Sequence, residues 1–349
     1  MKKSDNFHPF CVNLQLITFT ITLVEILEEL RKPVEADLER FNVMLQESLH
    51  SSNKILNLAL EHLVKRRGKQ MRPILLMLAA RGANNSPEVL DDKILHAAIA
   101  MELLHTASLV HDDIVDESDR RRGHKSINSL LDNKAAVLVG DFLLSKSIEH
   151  AVASGNFRVV ELISNVGIML SDGELLQLSN VESDIIDESS YYEVIRKKTA
   201  SLFSACAEIG ALLSTDNEGY IFTMKRFGML LGICFQLRDD IFDYDPSHDV
   251  GKPSGNDMKE GKLTLPVIFA SQKNELVRDL AMKVRRFEAS AEEIEHLVQL
   301  ARHEGGVVYA EAAMTDFSHM ASGLLEDVPN KGVAKSMLNY LYYSSKRDI

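Results

Sequence analysis

From residue 23 onward, apolar positions recur at spacings of three and four. Examples are Ile55, Leu56, Leu58, Leu60 and Leu63, then Ile94, Leu95, Ala98, Met101 and Leu104. This is the stripe of an amphipathic or buried helix, and no long alternating pattern competes with it. The spacing predicts helices over residues 25–48, 51–66, 73–81, 128–153, 157–181, 189–214, 219–244, 264–285, 291–304, 306–325 and 333–346. One more should open at Ser86-Pro87-Glu88, with a capping hydroxyl, proline in the first turn and an acid at the positive dipole end, and run to Asp116. The expected fold class is all-α, a single large helical bundle.

Residues 10–24 break the pattern. They are mostly apolar and β-branched, follow Lys2 and Lys3, and carry no small-residue cleavage site. The run is shorter than the roughly 20 residues of a spanning helix. Residues 1–22 therefore read as an appendage and 23–349 as one domain, because no repeat period or low-complexity linker marks a boundary. A chain of 349 residues can bury one large core.

Two aspartate clusters of one form, Asp112-Asp113-Ile-Val-Asp116 and Asp239-Asp240-Ile-Phe-Asp243, stand at the ends of long apolar helical stretches. Each buried charge costs several kcal/mol unless paired or metal-bound, so the clusters imply solvent or metal. Solvated acidic turns are the plainer alternative, but aspartate is poorly placed at the negative end of a helix dipole, and here it is placed there twice. Positions i and i+4 share a helix face, which aligns Asp112 with Asp116 and Asp239 with Asp243. Met101, His105 and Ser108 extend the first stripe, and Gln236 extends the second. Hard oxygen ligands with room for water and a substrate's oxygens suit Mg²⁺.

A basic loop follows each cluster. Loop 117–128 carries Arg120, Arg121, Arg122 and Gly123; loop 245–263 carries Lys252, Lys259 and Lys262 among glycines. Lys69 and Arg72 in GKQMRP, and Lys198 beside Thr199, add further cations. Taken singly, such residues are more often solvated loop charge or helix-end decoration. Beside two acid clusters they describe a site for a polyanion bridged by divalent metal. The apolar helices below predict a greasy tail on the ligand.

Net charge of −12 disfavours a nucleic-acid binder, whose footprint is a basic surface. Cys11, Cys206 and Cys234 have no metal-ligand spacing, and the last two sit in apolar helical runs, which fits reduced core thiols in a cytoplasmic protein.

GKQMRP, HTASLVHDDIVDESDRRRG, VGDFLLSKS, KKTASLF, FQLRDDIFDY and GKPSGNDMKEGKLTLP occur in this order from residue 68 to residue 266. Together they resemble the trans-prenyltransferases, the head-to-tail polyprenyl diphosphate synthases, and in particular long-chain members of octaprenyl type. The resemblance implies the isoprenoid synthase bundle with a central apolar cavity, a homodimer, and three Mg²⁺ ions. It implies metal ligands at Asp112, Asp116 and Asp239, supported by Asp113, Asp240 and Asp243. An isopentenyl diphosphate site would use Lys69, Arg72, His105 and Arg122. The allylic diphosphate would be held by Arg121, Lys198, Thr199, Gln236, Lys252 and Lys262, of which Lys198 and Lys252 join Asp112, Asp116 and Asp239 as catalytic. His105 alone would pass for a core histidine; only the matched motif lifts it. Small residues at Ala107 and Ser108, with Leu104 and Met101 deeper, should let a long tail pass, giving an all-trans product for quinone side chains and a loose tie to membranes through that product. A class I terpene cyclase would need no second diphosphate site, and a catalytically dead partner subunit would have lost some of these residues. Neither departure is present.

Overall fold

The computed structural model describes residues 22–65, 68–83, 89–121, 123–183, 185–245 and 255–346. Helices and short turns account for nearly all of them. The exception is an antiparallel pair, β1 (Arg120–Arg121) with β2 (His124–Lys125), which turns through Gly123 at φ 77°.

The first helix, α1 (Leu23–Arg31), opens on Thr22, whose hydroxyl accepts from the Glu25 amide while the Glu25 carboxylate accepts from the Thr22 amide. This reciprocal cap satisfies two otherwise orphaned donors. Pro33 then interrupts the expected helix over 25–48, leaving a short 3₁₀ turn at 32–34 before α2 (Glu35–Ser48). After α3 (Lys54–Val64) and α4 (Met71–Gly82) comes the helix that carries the first acid cluster, α5 (Asp92–Val115). Its start differs from the expectation at Ser86-Pro87-Glu88, residues that lie outside those described. Buried Asp37 of α2, paired with Arg81, accepts the Leu90 amide at 2.9 Å, and Arg40 donates to the Leu90 carbonyl at 2.7 Å. Leu90 is thereby pinned outside the helix. Asp91 becomes the cap, accepting from the Lys93 amide.

Beyond the short α6 (Ile127–Leu130), Asp132 caps α7 (Asn133–Ala153), and α8 (Phe157–Glu182) follows. The expected helix over 189–214 is one continuous rod in three parts: α9 (Glu188–Ile195), a single π turn at Arg196–Ala200, and α10 (Ser201–Leu212). The second acid cluster ends α11 (Glu218–Phe242). The four-residue α12 (Asn256–Lys259) lies in the following loop, and Asn274 caps a second helix within 264–285, dividing it into α13 (Leu265–Ser271) and α14 (Glu275–Arg285). Three more complete the chain: α15 (Ala291–His303), α16 (Gly306–Leu324) and α17 (Lys331–Lys346).

The centre of the bundle is α10, packed between α4 and α11, with α5 lying along α7. A Cβ at Gly228 of α11 would stand 2.4 Å from the Phe203 carbonyl oxygen of α10, so glycine is what permits that backbone approach. Helix α5 is long and apolar enough to cross a membrane, yet Ile94, Leu95, Ile99, Met101 and Leu103 are buried against protein. Cys206 and Cys234 are buried and unbridged, and burial pushes both thiols up to about 12. A smaller apolar cluster on α13 to α15 joins the main core through Leu263 and Val307 and supports the loop after the second acid cluster.

Candidate active site

Both acid clusters occupy the last turn of their helix. Asp112 and Asp113 lie in α5 with Asp116 as its C-cap; Asp239 and Asp240 lie in α11 with Asp243 as its C-cap. The loops join them. Lys262 comes from the loop after the second cluster, pairs with Glu260 at 2.5 Å and stands 3.5 Å from Asp116 of the first. Asp243 accepts from the Asn256 and Asp257 amides at 3.0 and 3.2 Å, which folds α12 back over the end of α11.

The carboxylates differ in what holds them. Asp113 is buried and receives Nε and Nη2 of Arg121, each at 2.7 Å. Among the described residues no such ion pair holds Asp112, which is pushed up to about 6, first by burial and next by the Glu174 carboxylate, with Lys198 opposing. Asp240 is buried between the Tyr191 hydroxyl, which donates at 2.5 Å, and Gln236 Nε2, which donates at 2.8 Å; Thr199 Oγ1 in turn donates to Gln236 Oε1 at 2.6 Å. Burial, followed by the Asp257 charge, raises Asp240 strongly above the usual carboxylate range, and Asp257 is raised as well. Burial is the first cause of these elevations, and neighbouring carboxylates add to it. Among the described residues, no three carboxylate, histidine or cysteine groups converge on one point as a ready metal cage. Such a donor set fits a hard cation that completes its shell with water and phosphate oxygens.

Two cavities flank the acids. One of about 220 Å³ is lined by Gln177, Tyr191, Lys198, Thr199, Gln236, Asp240, Asp257 and Lys262. The Lys198-Thr199 pair projects from the π turn, a distortion frequent at functional sites. The other cavity, about 360 Å³, lies beyond α5 and has His105, Asp113 and Arg121 beside an apolar wall that includes Leu103, Leu109 and Leu143. Of the sequence-predicted residues, Lys198, Thr199, Gln236, Asp240 and Lys262 border the first chamber and His105, Asp113 and Arg121 the second.

Lys69 and Arg72 line neither chamber. Lys69 Nζ lies 5.4 Å from the Tyr343 ring centroid, and the Arg72 guanidinium lies 5.0 Å from that of Phe203. Gln70 between them takes a left-handed conformation, φ 55°, as the N-cap of α4. Arg122 and Lys252 lie outside the described residues. Of the tail-channel positions, Met101, Leu104 and Ala107 are buried, and Ser108 is half-buried with its hydroxyl donating to the His105 carbonyl at 2.9 Å. Neither chamber is walled by these four. Leu104 faces α8 beside Gly167. A tail running past Ser108 has to displace Leu104 and Met101.

Four residues here escaped the sequence reading: Glu174, Gln177, Tyr191 and Asp257. Glu174 and Gln177 left only a weak signal, a polar pair three apart among Leu175, Leu176 and Leu178 in a helix segment that also carries Ser171, Asp172, Ser179 and Asn180. Asp257 lies inside GKPSGNDMKEGKLTLP but was not singled out there.

Residues 53–301 match the family model described as polyprenyl synthetase. The chain is 36% identical over 247 residues to octaprenyl diphosphate synthase of Escherichia coli, covering 70% of this chain and 75% of that one. Among solved structures, a geranylgeranyl pyrophosphate synthase from Bacteroides thetaiotaomicron is 38% identical with a TM-score of 0.81, covering 93% of this chain and 100% of that one. A polyprenyl synthase from Caulobacter crescentus, complexed with calcium and isoprenyl diphosphate, is 28% identical with a TM-score of 0.84 over 92% of this chain and 98% of that one.

Proposed function

Since the chain belongs to the polyprenyl synthetase family, we propose that it condenses isopentenyl diphosphate head-to-tail with an allylic diphosphate of farnesyl or geranylgeranyl type, making a long all-trans polyprenyl diphosphate for quinone side chains. The observation that carries this reading is the pair of acid clusters at the ends of α5 and α11, joined by Lys262 across to Asp116. The carboxylates, headed by Asp112, Asp116 and Asp239, would hold Mg²⁺, three ions in our reading. When bound, these supply Lewis-acid stabilisation of the leaving diphosphate oxygens.

The chain's own groups do the rest. Lys198, Thr199, Gln236 and Lys262 line the chamber that would receive the allylic diphosphate; Lys252 and Arg121 are further cations in our reading, Arg121 reaching it from its place on Asp113 at the edge of the other chamber. His105 borders the chamber assigned to isopentenyl diphosphate, and Lys69, Arg72 and Arg122 complete that set in our reading. The allylic C–O bond breaks with its electron pair leaving on diphosphate, the isopentenyl double bond forms the new C–C bond, and a proton is lost to the departed diphosphate. No side chain is assigned as general base. Apolar walls keep water from the cation.

Named relatives make products from geranylgeranyl to octaprenyl length. The small Ala107 and Ser108 above Leu104 and Met101 support the longer class for this chain. Exposed apolar residues on α7 and α8, among them Leu138 at 67% and Phe157 at 86%, support a homodimer joined through these helices. We place the enzyme in the cytoplasm, in line with its buried free thiols, with contact to membranes only through its product and with no nucleic-acid partner. Incubation of the purified protein with isopentenyl and farnesyl diphosphates plus Mg²⁺, followed by mass analysis, should give products longer than geranylgeranyl diphosphate. No consumption of isopentenyl diphosphate would overturn the reading.

A further inference from the structure

The π turn that presents Lys198 is docked on α8 at Gly173. A Cβ there would stand 2.8 Å from Lys197 Cβ and 2.9 Å from Lys198 Cγ, so the absent side chain lets the two backbones meet. The residues on either side of this glycine take the two lysines apart. Asp172 receives Lys197 at 2.8 Å, and Glu193 receives the same ammonium at 2.8 Å. Glu174 pairs with Lys198, and Gln177, one turn on, accepts from the same Nζ at 3.1 Å.

The two ion pairs are not equivalent. The Asp172 side chain is 62% exposed, whereas Glu174 is 16% exposed and Lys198 23%. An exposed pair contributes little, while a sheltered one with a second acceptor fixes geometry. Lysine has a long flexible stem, so an ammonium aimed at one place needs such partners. After burial, the Glu174 carboxylate is the largest influence raising Asp112, which couples it to the first acid cluster without its belonging to that cluster.

We propose that Glu174, with Gln177 beside it, is a positioning residue that aims the Lys198 ammonium at the diphosphate of the allylic substrate, and thereby tunes affinity for that substrate and not for isopentenyl diphosphate. The selectivity follows from the partition of the site: Gln177 and Lys198 wall the smaller chamber together with Thr199 and Gln236, while His105 walls the other. The inference rests on the proposed function for its substrate names.

The test compares wild type with Glu174→Ala, Glu174→Gln and Asp172→Ala. Steady-state kinetics are run separately against each substrate, and folding is checked by thermal melting. Loss of a partner that orients a ligating group typically costs about 10–100-fold. Glu174→Ala should therefore raise KM for the allylic diphosphate at least about tenfold while KM for isopentenyl diphosphate stays within about twofold. Glu174→Gln keeps an oxygen acceptor of the same shape and should recover most of the loss. Asp172→Ala should change neither KM. Parallel increases in both KM values, an unchanged allylic KM, or failure of Glu174→Gln to improve on Glu174→Ala would overturn the proposal. Calorimetric binding of inorganic diphosphate with Mg²⁺ gives a readout independent of turnover, expected to weaken about tenfold in Glu174→Ala. Equal affinity for diphosphate in wild type and Glu174→Ala defeats the inference even if the wild type turns over; absent turnover with a weakened variant defeats the proposed reaction instead.

Discussion

Replacing His150 by leucine should flatten the acid side of this protein's stability profile. His150 of α7 and His96 of α5 face each other with Nδ1 atoms 2.9 Å apart, and His150 is only 6% exposed. One hydrogen serves that contact. Because His150 Nε2 is buried without a hydrogen-bond partner, an N–H there would be an unsatisfied donor. The neutral Nδ1–H tautomer of His150, donating to His96, is the arrangement the geometry favours. Burial first, then the His96 charge and Lys146, push His150 down to about 4, with Glu149 acting the other way.

A base whose folded pKa lies below its unfolded value of 6.5 binds fewer protons in the folded state. Its contribution is therefore intact above pH 6.5 and is lost as pH falls toward 4. With those two values, the linkage relation gives a loss of about 2 kcal/mol by pH 5 and about 3 kcal/mol by pH 4 as an upper bound. In a chain of 349 residues, about 2 kcal/mol corresponds to a shift in Tm of roughly 3 °C. Leucine fits the apolar site and cannot take up the proton, while half-buried His96 still reaches water. Thermal melts at a series of pH values between 7.5 and 4.5 should show the wild type losing Tm faster than His150→Leu, the gap opening below pH 6.5. Parallel curves over this range would refute a buried, neutral His150.

Asp112→Asn and Asp239→Asn should each abolish condensation, since each removes a ligand charge, while Tm in the absence of divalent cations holds or rises because like-charge repulsion is relieved; wild-type turnover at saturating Mg²⁺ by either variant counts against the two-cluster mechanism. Ser108→Phe should shorten the product by blocking the tail about 5 Å below the metal-binding turn, read by mass analysis of products, and an unchanged product distribution would show that the tail runs elsewhere. A chain beginning at Thr22 should retain activity, whereas one beginning at Leu23 loses the Thr22–Glu25 cap and should melt lower by an amount set by about 1 kcal/mol; an inactive Thr22 start would make residues 1–21 part of the working fold.

Helical periodicity is a local property of the chain, and it was enough for the all-α class and for most of the helices. Spacing along one helix also placed Asp112 with Asp116 and Asp239 with Asp243, because i and i+4 share a face wherever the helix ends up. Contacts between distant segments were not legible in this way. The start of α5 went to Asp91 rather than Ser86 because Asp37, on another helix, binds the Leu90 amide. Asp113 and Asp240 look alike in sequence, yet one is held by Arg121 and the other by Tyr191 and Gln236. Sequence alone therefore singled out candidate groups, and the structure brings Lys198, Thr199, Gln236, Asp240 and Lys262 around one chamber. Tertiary structure decided how Lys198 is aimed, because the π turn and its partner Glu174 meet only where Gly173 lets two backbones touch, and close approach between helices leaves no periodic mark on either one.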